Sequence, residues 1–215
     1  MTSLSDAVIY RILTTSDANE MAQLLGEVFS HHDPPAVAVG LTPAEFETFV
    51  RLFCAKAVTE GLTVVARSAT TGEMMGALLT EDSASTPPDA LGQVSPKFHP
   101  ILDILGQLDV QYRAAQAVVP GTSMHLFLLG VARWYGGRGI AHQLVGECLA
   151  NGVRRGYRLA VTEATNRTSQ HIFRKQGFVE RVWRSYGEHR FDGEAAFASI
   201  AGEGGPILMD NRLVS

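Results

Sequence analysis

Hydrophobic and polar positions in the first part of the chain predict one strand followed by two helices. Residues 8–13 alternate closely enough for a strand, and an Asp-Ala-Asn-Glu capping box at 17–20 precedes apolar positions at helical spacing. This helix should end at or before Asp33, because the two prolines that follow cannot continue it. A Thr-Pro-Ala-Glu segment at 42–45 places a cap, a proline and a glutamate where a second helix begins.

The pattern of the remaining residues predicts a hairpin and then a regular succession of strands and helices. A Ser/Pro-rich segment at 83–88 is typical of a surface loop. The strand at 124–131 is nearly all apolar, which predicts burial on both faces. The predicted elements are a hairpin of 62–67 and 74–80, helices at 101–116, 141–155 (capped by Gly156) and 168–175, strands at 124–131, 159–164 and 178–186, and weaker strands at 193–200 and 207–211.

This order of elements predicts a mixed α/β fold with one twisted sheet of six to seven strands and helices on both faces. The strand–helix–strand–helix–strand succession after residue 123 is a right-handed α/β unit. We interpret residues 1–215 as a single domain. Its parts are an N-terminal β-αα-ββ unit at about 7–81, a loop at 82–96, a helix at about 100–117, a core at about 123–186 and C-terminal strands at 193–211.

Composition and charge narrow the class of protein. The chain has 215 residues, 46% of them apolar, and a formal net charge of −4, which fits a globular core and excludes disorder as the main state. The slightly acidic balance argues against nucleic acid as a partner, and no apolar run approaches the roughly 20 residues of a membrane span. Cys54 and Cys148 are expected to be buried thiols, and with the polar residues 1–6 they favour a cytoplasmic location.

Three glycines follow the buried strand directly and precede a helix. Without Cβ atoms, the turn at Gly136, Gly137 and Gly139 lets backbone amides converge on an anion at the positive end of the helix dipole. The glycines could instead permit only a tight turn. A P-loop is excluded because no Gly-Lys-Ser/Thr is present, whereas a dinucleotide fingerprint, with His142 at its third glycine position and Glu163 as its acidic residue, stays open.

Two motifs resemble those of the GNAT superfamily of N-acetyltransferases. Residues 136–141, Gly-Gly-Arg-Gly-Ile-Ala, are similar to the superfamily's pyrophosphate loop, although glycine stands at 136 where Gln or Arg is usual. Residues 166–178 resemble its second motif, an Asn, a short helix, an aromatic residue and then Gly-Phe. Ser-Pro-Lys-Phe at 95–98 and Gly-Glu-Ala-Ala-Phe at 193–197 look most like the insect-type arylalkylamine N-acetyltransferase branch.

The resemblance implies a GNAT-like fold that binds acetyl-CoA as a cosubstrate, with no metal. The central strand would separate from its parallel neighbour near Leu129, Gly130 and Val131, and the backbone groups of these residues would align the pantetheine arm. A glycine inside a strand, as at Gly130, indicates a bulge, a close approach of another backbone or plain packing. Asn166 would cap its helix and face the same arm. The residues expected to bind pyrophosphate are Gly136, Gly137, Arg138, Gly139, Ile140 and Ala141.

The implied reaction is direct attack of an amine on the thioester in a ternary complex, which requires a neutral amine. An alkylamine with a pKa near 10 is neutral in only about one molecule in a thousand at pH 7, a handicap of about 4 kcal/mol. A general base relieves it. Asp33 is our leading candidate because the insect-type enzymes carry an acidic residue in a similar Asp-Glu-Pro segment, and Glu163 and His125 are its rivals.

The departing thiolate has a less obvious proton donor. Phe173 occupies the position at which many superfamily members have a tyrosine, and phenylalanine cannot donate a proton. In the insect-type branch two hydroxyl residues form a proposed relay, and they align here with Thr165 and Ser169. Both could instead serve only helix capping, and a thiolate can also leave without an acid because thiol pKa values lie near 8.5.

The sequence thus favours an N-acetyltransferase acting on a small primary amine that is aromatic or otherwise apolar beyond its nitrogen. Phe29, Phe46, Phe49 and Tyr186 are candidates to line the amine pocket, or belong to the core. The alternative is an acyl-CoA-binding sensor or interaction module without catalysis. Neither interpretation needs nucleic acid or membrane partners, and a homodimer through the C-terminal strands is open.

Overall fold

A computed structural model describes residues 7–213. Residues 1–6, which the sequence analysis used in favour of a cytoplasmic location, lie outside the described part. The strands are β1 (Val8–Ile12), β2 (Val64–Ser68), β3 (Met74–Asp82), β4 (Ser123–Val131), β5 (Leu159–Ala164), β6 (Val179–Trp183) and β7 (Ile207–Arg212). The α-helices are α1 (Ala18–His32), α2 (Pro34–Ala38), α3 (Pro43–Glu60), α4 (His99–Ala115), α5 (Ile140–Arg154) and α6 (Arg167–Lys175).

The seven strands form one mixed sheet in the order β1-β2-β3-β4-β5-β7-β6, which confirms the predicted fold class. Only β4 and β5 pair in parallel; every other neighbouring pair is antiparallel. Helices α1, α2, α3 and α4 contribute to the apolar cluster on one face, and α5 and α6 cover the other. No helix within residues 7–213 has the length and apolarity to cross a bilayer.

Two elements depart from the sequence prediction. The expected strand at 193–200 is wrong: this segment carries an isolated bridge between Phe191 and Glu194 and then a 3₁₀ turn, Ala198–Glu203. Helix α2, at a place where the sequence predicted a loop, begins directly after Asp33. The C-terminal strand β7 lies between β5 and β6. Because β7 is hydrogen-bonded on both sides, it cannot pair with a second chain as the homodimer argument required; the edges of the sheet are β1 and β6.

The start of α1 uses its acidic residues differently from the predicted capping box. Asp17 is buried and accepts hydrogen bonds from Arg11, Arg67 and Thr14, so its pKa falls to about 2 although burial alone would raise it. Glu20 accepts a hydrogen bond from the amide of Met74. Both carboxylates therefore tie the start of α1 to the β1–β2–β3 edge of the sheet, because paired buried charges need several donors.

The predicted start of α3 is confirmed in detail. The Thr42 hydroxyl accepts a hydrogen bond from the amide of Glu45, whose carboxylate accepts the Thr42 amide at 2.9 Å. This reciprocal pair satisfies two amides that the first turn leaves without partners. Cys54 on α3 and Cys148 on α5 are buried free thiols, as expected.

Strands β4 and β5 separate after a short paired segment. Their parallel register runs only from Ser123 opposite Leu159 to His125 opposite Val161. Beyond that point β4 stays paired with β3, and β5 with β7, so each keeps one hydrogen-bonded edge. The Thr162 hydroxyl donates to the Leu126 carbonyl at 2.8 Å across the start of the gap. The sheet therefore opens into a wedge between its two central strands.

Candidate active site

A cavity of about 130 Å³ occupies the wedge between β4 and β5. Such a volume admits a small molecule but excludes a folded partner. Its walls come from β4, the end of β5, the start of α6, the end of α1, α3 and α4, which the fold brings together from distant parts of the sequence. The lining residues central to its chemistry are Asp33, Leu129, Glu163, Thr165, Asn166 and Ser169.

Asp33 is placed at the corner between α1 and α2. Its extended backbone ends α1 and begins α2, whose first turn contains Pro34 and Pro35, so the prolines fix the corner. The Thr165 hydroxyl, just beyond β5, donates to Asp33 Oδ1 at 2.5 Å. The structure thus joins the predicted base and one of the two predicted hydroxyl residues, which lie 132 positions apart in the sequence.

Burial perturbs the Asp33 carboxyl group. The residue is 7% exposed, and desolvation raises its pKa from 3.8 to about 6. The Thr165 hydroxyl and the nearby Ala36 amide favour the carboxylate and so oppose the rise. A carboxyl group with this pKa is ionised at neutral pH and is still basic enough to take a proton, which suits a general base.

Ser169 and Asn166 serve each other at the start of α6. The Asn166 side chain accepts a hydrogen bond from the Ser169 amide at 2.9 Å, and the Ser169 hydroxyl donates to the Asn166 carbonyl at 2.9 Å. Asn166 is therefore the helix cap, as predicted, and Thr165 is not. Both capping residues also line the cavity, but only Thr165 reaches Asp33.

The glycine turn is exposed at residues 136–139. Gly137 and Gly139 have φ values of 74° and 76°, a left-handed conformation that favours glycine. Among residues 7–213, no acceptor is assigned to the amides of Gly137, Gly139, Ile140 or Ala141, and the turn is exposed. The Gly136 amide, by contrast, bonds to the Arg133 carbonyl at 3.1 Å. Backbone amides at the N-terminus of a helix are the kind of group to which anions bind in other proteins.

Arg138 lies within the same turn. Its guanidinium lies 5.6 Å from the centre of the Tyr135 ring, whose hydroxyl donates to Glu73 at 2.9 Å. These contacts link the turn to the start of β3. A cation held at this place raises the attraction of the turn for an anion.

The three residues expected along the pantetheine arm follow one edge of β4. Leu129 lines the cavity, and Val131 packs on the α5 side of the sheet. The bulge of β4 lies at Phe127 and not at Gly130. The neighbouring residues Leu79 and Thr80 of β3 pair with Leu128 and Leu126 of β4, so Phe127 between them has no partner in the register. Gly130 instead marks a close approach, because a Cβ there would lie 2.7 Å from Cδ2 of Leu25 on α1.

The two rival bases form a pair with each other. His125 Nε2 lies 2.6 Å from Glu163 Oε2, and its Nδ1 faces Glu81, which also binds Lys56 at 2.6 Å. Burial lowers the pKa of His125, but the two carboxylates outweigh it and raise the value to about 10. His125 in turn lowers the pKa of Glu163 against the effect of burial. A charged imidazolium and a stabilised carboxylate are both poor proton acceptors, so Asp33 is the better base.

Aromatic side chains form much of the cavity wall. Of the four candidates, Phe29, Phe46 and Phe49 line it, whereas Tyr186 is buried outside it and donates to the Thr165 carbonyl at 2.8 Å. The sequence analysis missed Phe98 and Phe127, whose rings pack on Phe49. The Ser-Pro-Lys-Phe segment singled out Phe98, but only as a marker of relatedness. Phe127 belongs to an apolar strand in which no single side chain stands out.

Comparisons with known proteins bear on this arrangement. Residues 103–178 match the model of the acetyltransferase (GNAT) family. The matched segment includes the wedge, the glycine turn and α6, and it supports an acyltransferase as the class of enzyme. No curated protein sequence matches the chain significantly.

Solved structures match nearly the whole chain. The C-terminal condensation domain of Ebony, in complex with beta-alanyl-dopamine, shares 15% identity over 96% of this chain and 99% of that chain, with a TM-score of 0.88. Arylalkylamine N-acetyltransferase 2 from Aedes aegypti shares 18% sequence identity over 96% of this chain and 99% of that chain, with a TM-score of 0.82. The polyamine N-acetyltransferase of Drosophila melanogaster shares 20% sequence identity over 96% of this chain and 100% of that chain, with a TM-score of 0.77. At these identities the likeness concerns the fold.

The described residues also bear on metal binding and on the expected acid. Within residues 7–213, no three His, Cys, Asp or Glu side chains lie close enough together to hold a metal ion. Phe173 is buried in the cavity wall against Phe178, with its ring centre 5.0 Å away. Its position leaves Thr165 and Ser169 as the hydroxyl groups of the predicted relay in the cavity.

Proposed function

We propose that this protein transfers an acetyl group from acetyl-CoA to the primary amine of a small molecule with an aromatic or otherwise apolar body. One observation carries the proposal: Asp33 and Thr165 meet in an apolar cavity beside the unpaired edge of β4. The glycine turn follows the C-terminal end of β4 and precedes α5. Acetyl-CoA supplies the thioester, and the chain supplies the base and the binding site.

In this proposal the turn binds the pyrophosphate through the amides of Gly137, Gly139, Ile140 and Ala141, with Gly136 and Arg138 completing the turn. Charge-assisted hydrogen bonds contribute about 1.5–3 kcal/mol each, so three or four of them hold the group without a lysine. The edge of β4 along Leu129, Gly130 and Val131 would align the pantetheine arm, and Asn166 would face it from α6.

The chemical step requires two proton movements and one exchange of bonds. Asp33 accepts a proton from the bound ammonium, which frees the nitrogen lone pair to attack the thioester carbonyl carbon. The C–N bond forms, the C–S bond breaks, and the second amine proton is lost. Thr165, hydrogen-bonded to Asp33, and Ser169 are the nearby hydroxyl groups that can carry a proton toward the departing sulfur.

Two of the similar structures described above support an amine as the acceptor. Their names specify an arylalkylamine and a polyamine as substrates. The phenylalanine-lined cavity of this chain is better suited to an aromatic ring than to a polyamine, because Glu163, the carboxylate on its wall besides Asp33, is already paired with His125. We therefore place the arylalkylamines first among the acceptors to be tested.

A second candidate is transfer of a larger acyl group than acetyl. It is favoured by the fold match to the condensation domain of Ebony, a structure that holds beta-alanyl-dopamine. A third candidate, a CoA-binding module without catalysis, predicts binding without turnover.

Calorimetry with CoA and a thiol-release assay over a panel of amines separate these candidates. The proposal predicts CoA binding and amine-stimulated thiol release from acetyl-CoA. CoA binding with no release for any amine would favour the module without catalysis. Release from longer acyl-CoA thioesters but not from acetyl-CoA would favour the second candidate.

A further inference from the structure

A second cavity, of about 300 Å³, adjoins the first. It is bounded by the end of β3, by loop residues after it and by α4. The two cavities share four wall residues, Leu102, Leu105, Phe127 and Glu163. Glu163 is the one polar residue of this shared wall, so it is the point at which a ligand passing from one cavity to the other would meet a charge.

The Glu163 carboxylate is short of hydrogen-bond donors. Its side chain is 11% exposed and bonds to His125 Nε2 through Oε2. Within residues 7–213, the backbone amide of Glu163 itself is the one further hydrogen-bond donor assigned to this carboxylate. A carboxylate has about four acceptor positions, and leaving them unfilled in a buried place is costly. Glu163 can therefore accept a hydrogen bond from a ligand without losing His125.

The charges around Glu163 favour a neutral donor over a cation. Glu163 and Glu81 carry two negative charges, and His125 and Lys56 supply two positive ones. Because the cluster is already balanced, a second ammonium on the ligand would add an unpaired buried charge. A hydroxyl group donates a hydrogen bond and adds no charge. The aromatic rings beside it indicate that the hydroxyl is carried on an aromatic ring.

The spacing along β5 fits such a ligand. Glu163 on β5 and Thr165, which follows the end of the strand, both line the first cavity, and two residues of extended chain span about 6.6 Å. Thr165 marks the position of Asp33, the proposed base, so Glu163 lies about one strand repeat deeper in the wedge. An amine held at Asp33 would have the far end of its ring near Glu163.

We propose that Glu163, held by His125, is a specificity residue that accepts a hydrogen bond from a hydroxyl group on the ring of an aromatic amine. This inference rests on the proposed N-acetyltransferase function. It assigns the rival base of the sequence analysis a recognition role, and it assigns the second cavity to the substituted end of the ring.

The test compares tyramine with phenethylamine, which differ only by the ring hydroxyl. We expect kcat/KM for tyramine to exceed that for phenethylamine by about 10- to 100-fold, the range of one hydrogen bond to a charged group. In the double variant Glu163→Leu/His125→Leu this ratio should fall to about one or below, because phenethylamine improves. Replacing both partners avoids leaving a buried charge. Glu81→Gln keeps the Glu163–His125 pair and is the matched control, which should retain the preference.

The outcomes are distinct. Equal kcat/KM for the two amines in the wild-type protein would overturn the recognition role while the acetyltransferase function stands. A preference that survives in the folded double variant would also overturn it. Absence of turnover with every amine would overturn the proposed function, and this inference with it. If the double variant does not fold, the wild-type ratio still decides.

Discussion

Replacing Asp33 by Asn should make the protein more stable and less active, and both effects should depend on pH. The substitution keeps the shape of the side chain and its acceptor for the Thr165 hydroxyl, but removes the ionisable group. The folded state holds the Asp33 proton up to about pH 6, whereas an unfolded chain releases it near 3.8. Below 3.8 the carboxyl group is protonated in both states and has no cost. As the pH rises through 6, the wild-type protein must bury a charge.

The size of the effect follows from the pKa. A rise from 3.8 to about 6 corresponds to about 3 kcal/mol at neutral pH. Asp33→Asn should therefore raise the free energy of unfolding by up to about 3 kcal/mol at pH 7.5, and the gain should shrink steadily as the pH falls from 6 to 4. Urea unfolding of both proteins across this range measures it. A gain that is absent at pH 7.5, or unchanged between pH 4.5 and 7.5, would refute the assignment of a buried, destabilised carboxylate.

The activity of the same variant should move in the opposite direction. A general base contributes about 10²- to 10⁴-fold, so kcat/KM at pH 7 should fall within that range. The loss should shrink toward pH 9, because each step of one pH unit supplies about tenfold more neutral amine. The wild-type profile should rise through about pH 6 as Asp33 ionises, and the variant should lack this limb. An equal loss at every pH would make Asp33 a binding or structural residue.

Three further variants test other parts of the site. Gly139→Asp should abolish CoA binding in calorimetry, because it places a carboxylate among amides proposed to bind an anion. The control is Gly156→Asp, at a glycine of similar positive φ beyond the other end of α5, and it should leave CoA binding intact. Equal losses of CoA affinity in both variants would point to backbone strain alone. Thr165→Val removes the hydrogen bond that favours the Asp33 carboxylate, so the acid limb of the pH profile should move to higher pH, and Thr165→Ser should leave it in place. Gly130→Ala should lower the free energy of unfolding by about 1–3 kcal/mol, because the added methyl group overlaps α1; an unchanged unfolding midpoint would contradict the close approach.

Local sequence signals predicted the elements whose ends are set by local hydrogen bonds. The cap of α3 at Thr42 and the cap of α6 at Asn166 were found because each side chain acts within three residues of its own position. The capping box predicted at Asp17 failed because its carboxylate bonds to Thr14 at the preceding 3₁₀ turn and to arginines on β1 and β2, so it does not cap α1. The strand predicted at 193–200 failed because Phe197 is the one buried residue of that segment, and most of the others are exposed.

The site itself was predicted in part. The glycine turn carries its own signal, since three glycines at a strand–helix junction restrict what the backbone can do. The pairing of Thr165 with Asp33 and that of His125 with Glu163 depend on the order of strands, because residues 132 and 38 positions apart meet only after the sheet forms. The sequence could name these residues as candidates, but it could not separate the base from the ion pair.

The wedge explains why one sheet can both fold stably and leave an open edge for a ligand. At the wedge, β4 is hydrogen-bonded to β3 along its outer side, and β5 is bonded to β7 over its whole length. The insertion of β7 beside β5 is therefore essential, because without it β5 would be held only by its three residues paired with β4. Unpaired backbone groups in an apolar cavity cost free energy until a ligand bonds to them. In the proposed function, the same edge that weakens the unliganded protein would provide the binding site, and the buried Asp33 adds a second cost of the same kind at the place where the amine would bind.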